Sequence, residues 1–190
     1  MNRRHLELCS SAEWAGAVQR WIIPWVLDGV ELGEDVLEVG PGPGLTTDVL
    51  RHRAEALTAV EVDRDLATSL GERLVGTNVE VVCADATDSG LPSDRFTGAV
   101  CLTMLHHVPS VELQDRLFAE VHRLIRPGGV LAGQDSLPSE ELRELHVDDT
   151  YVPVDPATLG PRLESVGFVD VEIDANDYAV RFRAAKGHGS

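Results

Sequence analysis

The sequence predicts one α/β domain over all 190 residues, built as a doubly wound, mostly parallel sheet of seven strands with helices on both faces. Three observations carry this reading. Apolar strand-length runs alternate with segments of helical period from Asp35 to Ala132, in units of about 30 residues. A glycine-rich turn directly follows the first of these runs. Near the C-terminus, two alternating runs are separated by Asp174-Ala175-Asn176-Asp177, a hairpin signal that makes the last pair antiparallel.

The elements follow in order. Ser10 and Glu13 make a capping-box pattern at the start of a helix over 10–27. Trp14, Val18, Trp21, Ile22 and Trp25 share one face of it, and Pro24 should kink it. These tryptophans either pack on the core or line a pocket. Asp35 to Gly40 reads as a buried strand, 44–53 as a helix, and Leu57 to Val62 as a second strand. A helix over 64–75, a third strand from Asn78 to Cys83 and a fourth from Phe96 to Leu102 come next. Leu113, Leu117, Val121, Leu124 and Ile125 form the stripe of a helix over 110–126 with Ser110 as N-cap. Pro127-Gly128-Gly129 stops it, and Val130-Leu131-Ala132 opens the fifth strand. Residues 134–154 are polar and read as a connection with a short helix near 139–146. A helix over 158–166 with Thr158 as N-cap puts Pro161 where its missing N–H costs nothing, and Gly167 ends it. Phe168 to Ile173 and Tyr178 to Arg183 are the two hairpin strands.

Composition narrows the partners. Sixteen Lys and Arg stand against 32 Asp and Glu, a formal net charge of −16. Nucleic-acid binding draws its strength from basic side chains on phosphates, so neither nucleic acid nor an anionic membrane is expected. Cys9, Cys83 and Cys101 show no CxxC and no Cys/His ligand spacing, so no disulfide framework and no metal is expected. Cys83 and Cys101 fall in apolar runs and are expected to be buried and inert. This cysteine usage makes a reducing, cytoplasmic location the expectation. The basic start at Arg3 and Arg4 is followed by Glu7, Glu13 and Arg20 rather than by the apolar segment of a signal peptide.

The chemistry concentrates at the strand ends. Val36 to Gly44 runs from a strand into Gly40-Pro41-Gly42-Pro43-Gly44. In such folds ligands bind beyond the carboxyl ends of the strands, and glycines let the backbone approach them closely. The spacing is GxGxG, not the GxGxxG of dinucleotide sites. Glu38, two residues before the first glycine, would repel a pyrophosphate but suits a ligand with positive charge, such as the ammonium and sulfonium of S-adenosylmethionine. Glu61 lies 21 residues after Gly40 at the end of the second strand, where an acid can accept from both ribose hydroxyls. Asp63 competes for that role but is better placed to cap the next helix. Asp85 follows the third strand, where a carboxylate can accept from an adenine amino group.

With these residues the chain resembles the class I S-adenosylmethionine-dependent methyltransferases, particularly the small type-11 branch that includes quinone C-methyltransferase-like proteins. The matching segments are LEVGPGPG (37–44), VEVD (60–63), VCADAT (82–87), FTGAVCLTMLHHV (96–108) and LIRPGGVL (124–131). The resemblance implies strand order 3-2-1-4-5-7-6 with strand 7 antiparallel. It implies that Glu38, Gly40, Pro41 and Gly42 border the methionine part, with Gly44 also among the cofactor-binding residues, that Glu61 holds the ribose and that Val62 lies against the adenine. Asp85 and Ala86 would flank the adenine, and Leu102 and Thr103 the sulfonium end. VEVDRDLA also looks like the ribosomal-RNA adenine dimethylases. However, Leu102-Thr103-Met104-Leu105 stands where those enzymes carry an Asn/Asp-Pro-Pro-Tyr motif, so a base amine is not the expected acceptor.

The expected activity is methyl transfer from S-adenosylmethionine to a small-molecule acceptor by in-line displacement, producing S-adenosylhomocysteine. Positioning supplies most of the catalysis, and a base is needed only for a hydroxyl, an acidic carbon or a protonated amine. His106, His107 and His146 are the candidate bases; in the family the His-His pair is mostly structural. His146, Asp148 and Asp149 read as a solvated acidic loop rather than a metal site. Residues 1–30 are expected to form an N-terminal helical cap, and 134–154 a variable acceptor-pocket connection. Two rival readings are a non-catalytic cofactor-binding partner and a nicotinamide-dependent oxidoreductase.

Overall fold

The computed structural model describes residues 2–188; positions 1, 189 and 190 lie outside it. Seven strands form one sheet in the order β3-β2-β1-β4-β5-β7-β6. They are β1 (Asp35–Val39), β2 (Ala56–Glu61), β3 (Val79–Cys83), β4 (Phe96–Leu102), β5 (Ile125–Ser136), β6 (Phe168–Ala175) and β7 (Ala179–Lys186). β1 to β5 pair in parallel, and β7 runs antiparallel to both β5 and β6. The expected class, strand order and reversed strand are all observed. The hairpin turns on Asn176, whose Oδ1 accepts from the N–H groups of Tyr178 at 2.8 Å and Ala179 at 2.9 Å.

The helices are α1 (Arg3–Cys9), α2 (Ala12–Ala17), α3 (Ile23–Val26), α4 (Thr47–Leu50), α5 (Arg64–Arg73), α6 (Val111–Leu124), α7 (Glu140–Leu145) and α8 (Pro156–Ser165). Period-2 alternation along the buried strands divides the core. Leu37, Val39, Ala99, Cys101 and Leu131 meet Leu117, Phe118 and Val121 of α6 and Leu159 and Leu163 of α8 on one face. Val36, Leu57, Val100, Leu102 and Ala132 meet Val18, Ile23, Val26 and Leu50 on the other. α5 packs Leu70 against Ala59 at the far side of the sheet.

Several elements depart from the pattern read in the sequence. The expected helix over 10–27 starts later: Ser10 ends α1, and Ser11 is the N-cap of α2, accepting from Trp14 N–H at 3.1 Å. A π-turn over Val18–Ile22 then takes up one extra residue before Pro24. Its wider spacing moves the buried stripe from Val18 to Ile23, five residues on, and leaves Trp21 70% exposed. Trp14 and Trp25 pack against the core. α4 is one turn, extended by hydrogen bonds from Asp48 N–H to Gly44 and from Arg53 N–H to Leu50. α8 is capped by Asp155 rather than Thr158, so Pro161 lies inside it. Pro156 at the first turn and the burial of Leu159 and Leu163 outweigh the one hydrogen bond that Pro161 removes. β5 begins at Ile125, and the Pro-Gly-Gly segment is an irregularity within it. Cys101 is buried as expected, but Cys83 is exposed because β3 is an edge strand.

Candidate functional site

The glycine turn after β1 is a folded cradle. Gly40, Gly42 and Gly44 all have positive φ, and at Gly44 (φ +87°) an added Cβ would fall 2.3 Å from Leu70 Cδ1. The turn therefore lies directly on α5. Beneath it Glu38, only 2% exposed, accepts from Thr46 Oγ1, while its Oε2 is buried without a partner. Burial pushes the Glu38 carboxyl up to about 7, and the nearby Asp48 and Glu61 charges add to the rise. At the end of β2, Glu61 accepts from Gly42 N–H and from Asp63 N–H, each at 2.9 Å. Each oxygen keeps a lone pair for a further donor. Asp63 caps α5, accepting from Asp65 and Leu66 N–H, as the competition with Glu61 anticipates. After β3, Asp85 Oδ1 accepts from Thr87 N–H at 2.8 Å.

Between these strand ends lies a cleft of about 440 Å³, within the ordinary range for small-molecule sites. Of the residues expected to bind cofactor, Gly40, Gly42, Glu61, Val62, Asp85, Ala86 and Thr103 line it. Val62 is 70% exposed, an apolar side chain at the rim. Glu38, Pro41, Gly44 and Leu102 do not line the cleft; all four are buried behind it, Leu102 in the core face that carries α3. Thr103 closes β4 with φ +54°, a conformation that β-branched residues rarely adopt. Gln134 holds it there, accepting from Thr103 N–H at 2.9 Å and donating to Thr103 Oγ1 at 3.0 Å. Val39, Val60, Asp63, Leu66, Ala84 and Thr87 complete the glycine-turn side of the cleft, and the opposite wall is Met104, His107, Val108 and Pro109, Leu113 and Leu117 of α6, and Asp149 and Thr150. Sequence reading missed most of this wall, because apolar residues after β4 and on α6 look like any core.

The candidate bases fall in one place, but not all in the cleft. His107 lines it; His106 and His146 are set back and buried, at 2% and 4% exposure. His146 is thus not part of a solvated loop, whereas Asp148 is exposed. His5 of α1 joins them, and the rings of His5, His106, His107 and His146 lie 4.3–6.1 Å apart. Burial pushes His5 down to about 4 and His107 down to about 3, so both are neutral at physiological pH. The fully buried Asp135 of β5 accepts from His106 Nδ1 at 2.6 Å. α1 is brought here by Asn2, which caps it and also donates through Nδ2 to Leu145 O at 2.6 Å.

A mostly parallel 3-2-1-4-5-7-6 sheet, with a glycine-turned cleft at its C-terminal edge and acids after β2 and β3, defines the class I methyltransferase fold. The family model described as "Methyltransferase domain", of type 11, matches residues 37–133, half of the chain. The chain belongs to that family. It is 32% identical over 112 residues to a ubiquinone biosynthesis O-methyltransferase of Azotobacter vinelandii, covering 56% of this chain and 47% of that protein. Over 86 residues it is 43% identical to an rRNA adenine N-6-methyltransferase of Saccharopolyspora erythraea, covering 43% and 23%. The chain thus spans half or less of the length of these two relatives. A crystal structure of a SAM-dependent methyltransferase from Aquifex aeolicus superposes with a TM-score of 0.76 at 20% identity, covering 98% of this chain and 99% of that one.

Proposed function

We propose that the chain transfers the methyl group of S-adenosylmethionine to a small-molecule acceptor, releasing S-adenosylhomocysteine. The observation that carries this is the cleft, where the glycine turn, Glu61, Val62, Asp85, Ala86 and Thr103 converge. The residues suit the donor. The free lone pairs of Glu61 match a ribose diol, the exposed Val62 matches an adenine face, and Asp85 matches an exocyclic amine. Glu38 and Gly44 act from behind, shaping the turn that would carry the ligand. When bound, the donor supplies a methyl carbon activated by its sulfonium; the chain's task is alignment and exclusion of water.

The acceptor side is the wall from Met104 to Pro109 with Leu113, Leu117, Asp149 and Thr150. No Lys or Arg is among the residues lining the cleft, and the chain carries a net charge of −16. Both features favour a small neutral or cationic acceptor over a polynucleotide. His107 is the one candidate base that reaches this wall. Residues 134–154 supply Asp149 and Thr150 to it, and α1 of the N-terminal segment backs them. Among the described residues no helix is long and apolar enough to cross a membrane. The three cysteines are free, which supports a reducing, cytoplasmic setting.

Calorimetric titration with S-adenosylmethionine and S-adenosylhomocysteine tests the reading. Asp85→Ala and Glu61→Ala should each weaken binding about 10- to 100-fold, the equivalent of a charged hydrogen bond of about 1.5–3 kcal/mol. Binding of neither nucleoside, or binding unchanged in both variants, would refute it. Release of S-adenosylhomocysteine with RNA but with no small hydroxyl, thiol or amine acceptor would overturn the acceptor class.

A further inference from the structure

We propose that His5, His106, His107 and His146 form a binding site for one divalent transition-metal ion, zinc by preference, which ties α1 and the end of α7 to the tip of β4. One ring nitrogen from each of the four lies within 4.8 Å of the others. In a tetrahedral zinc site with Zn–N near 2.05 Å, neighbouring nitrogens are about 3.3 Å apart. Rotamer adjustments of about 1 Å close that gap.

The tautomers point the same way. Asp135 and the carbonyl of Leu142 can only accept, so the Nδ1–H of His106 and the Nδ1–H of His146 donate to them, each at 2.6 Å. That leaves a lone pair on each Nε2, and both of these atoms are buried without a partner. His5 Nδ1 and His107 Nε2 are likewise buried and unpartnered. A purely structural core does not gather four orphaned imidazole nitrogens, since each unsatisfied buried polar atom is destabilising. A metal ion satisfies all four at once. The Asp135–His106 pair is the carboxylate–imidazole arrangement that orients metal-binding histidines, and Asp135 offsets part of the ion's charge. Four neutral nitrogens in tetrahedral reach suit zinc better than magnesium or calcium, which take oxygen.

The site would be built from three distant stretches of chain. α1 carries His5, the turn after β4 carries His106 and His107, and His146 caps α7. Because His107 also lines the cleft, the ion would fix that part of the wall. In the loaded protein the His107 lone pair is committed, so His107 positions an acceptor rather than removing its proton.

The test needs no methyl donor, so its outcome is independent of the proposed activity. The full chain is purified without a polyhistidine tag and its metal measured by inductively coupled plasma mass spectrometry after zinc supplementation. One equivalent of zinc is expected, with cobalt replacing it to give the intense visible bands of a tetrahedral site. His5→Ala and His146→Ala should lower zinc affinity at least 100-fold. Asp135→Asn, which keeps the ligands, should lower it about 10- to 100-fold. His52→Ala and His122→Ala, outside the cluster, should leave it unchanged. Circular dichroism separates loss of the site from loss of the fold. Less than a tenth of an equivalent of metal in folded wild-type protein, or zinc retained by folded His5→Ala and His146→Ala alike, would overturn the proposal.

Discussion

Replacing Glu38 by Gln should make the protein more tolerant of alkaline pH, and the size of the effect follows from its burial. The carboxyl is 2% exposed and has one unpartnered oxygen, so ionising it inside the fold is unfavourable. Its folded value is pushed up to about 7 from an ordinary 4.5, by burial first and by Asp48 and Glu61 second. A group raised in this way contributes full stability below its unfolded value and loses it as pH rises through the folded one. The rise corresponds to on the order of 3 kcal/mol by pH 8, of which roughly 2 kcal/mol is lost between pH 5 and pH 8. Glu38→Gln keeps the shape and an oxygen for the Thr46 hydroxyl but cannot ionise. For a chain of this size its melting temperature should gain on the wild type by about 4–8 °C over that interval. Thermal unfolding followed by circular dichroism at pH 5, 6, 7 and 8 reads the difference directly. A difference that stays constant with pH would show that Glu38 is not an ionising buried group, and the electrostatic account of the turn would fail with it.

Gly44→Ala should destabilise the fold by about 2 kcal/mol or more, since its Cβ would meet Leu70 at 2.3 Å in a left-handed backbone conformation. Urea denaturation checks this, and a midpoint within error of wild type would contradict the close packing of turn on helix. Glu120 is held down to about 2 by Arg123 and by Ser89. Its stabilising effect is therefore complete above its ordinary range and fades as pH falls through about 2. Glu120→Gln should be less stable than wild type at neutral pH and converge with it in strong acid; a gap that widened on acidification would reverse the assignment.

Most of the sheet is legible because each central strand is buried on both faces and each connection carries a turn or cap signal. Asp63 and Ser110 cap the helices after β2 and before β5 as their spacing suggests. Elements outside the sheet are less legible because their partners are remote in sequence. α1 is short and polar, and its anchor is Asn2 bonding to Leu145, 143 residues away. The π-turn at Val18–Ile22 breaks the 3.6-residue period on which the tryptophan stripe was placed. At the site, acids and glycines at strand ends stood out because local order fixes where they go. The histidine cluster did not, because His5 and His146 share no motif and meet only when α1 and α7 dock. A pair of adjacent histidines after a strand was the visible part of it.

The reversed final strand has a consequence for how the molecule is made. β7 sits between β5 and β6, so β6 has no neighbour in the sheet until residues through Lys186 are in place. A ribosome-bound intermediate ending before Ala179 would present the whole length of β5 as an open edge, an invitation to pair with other nascent chains. β5 therefore stays unshielded until β7 has been synthesised, and chaperone dependence should be greatest between completion of β5 and completion of β7.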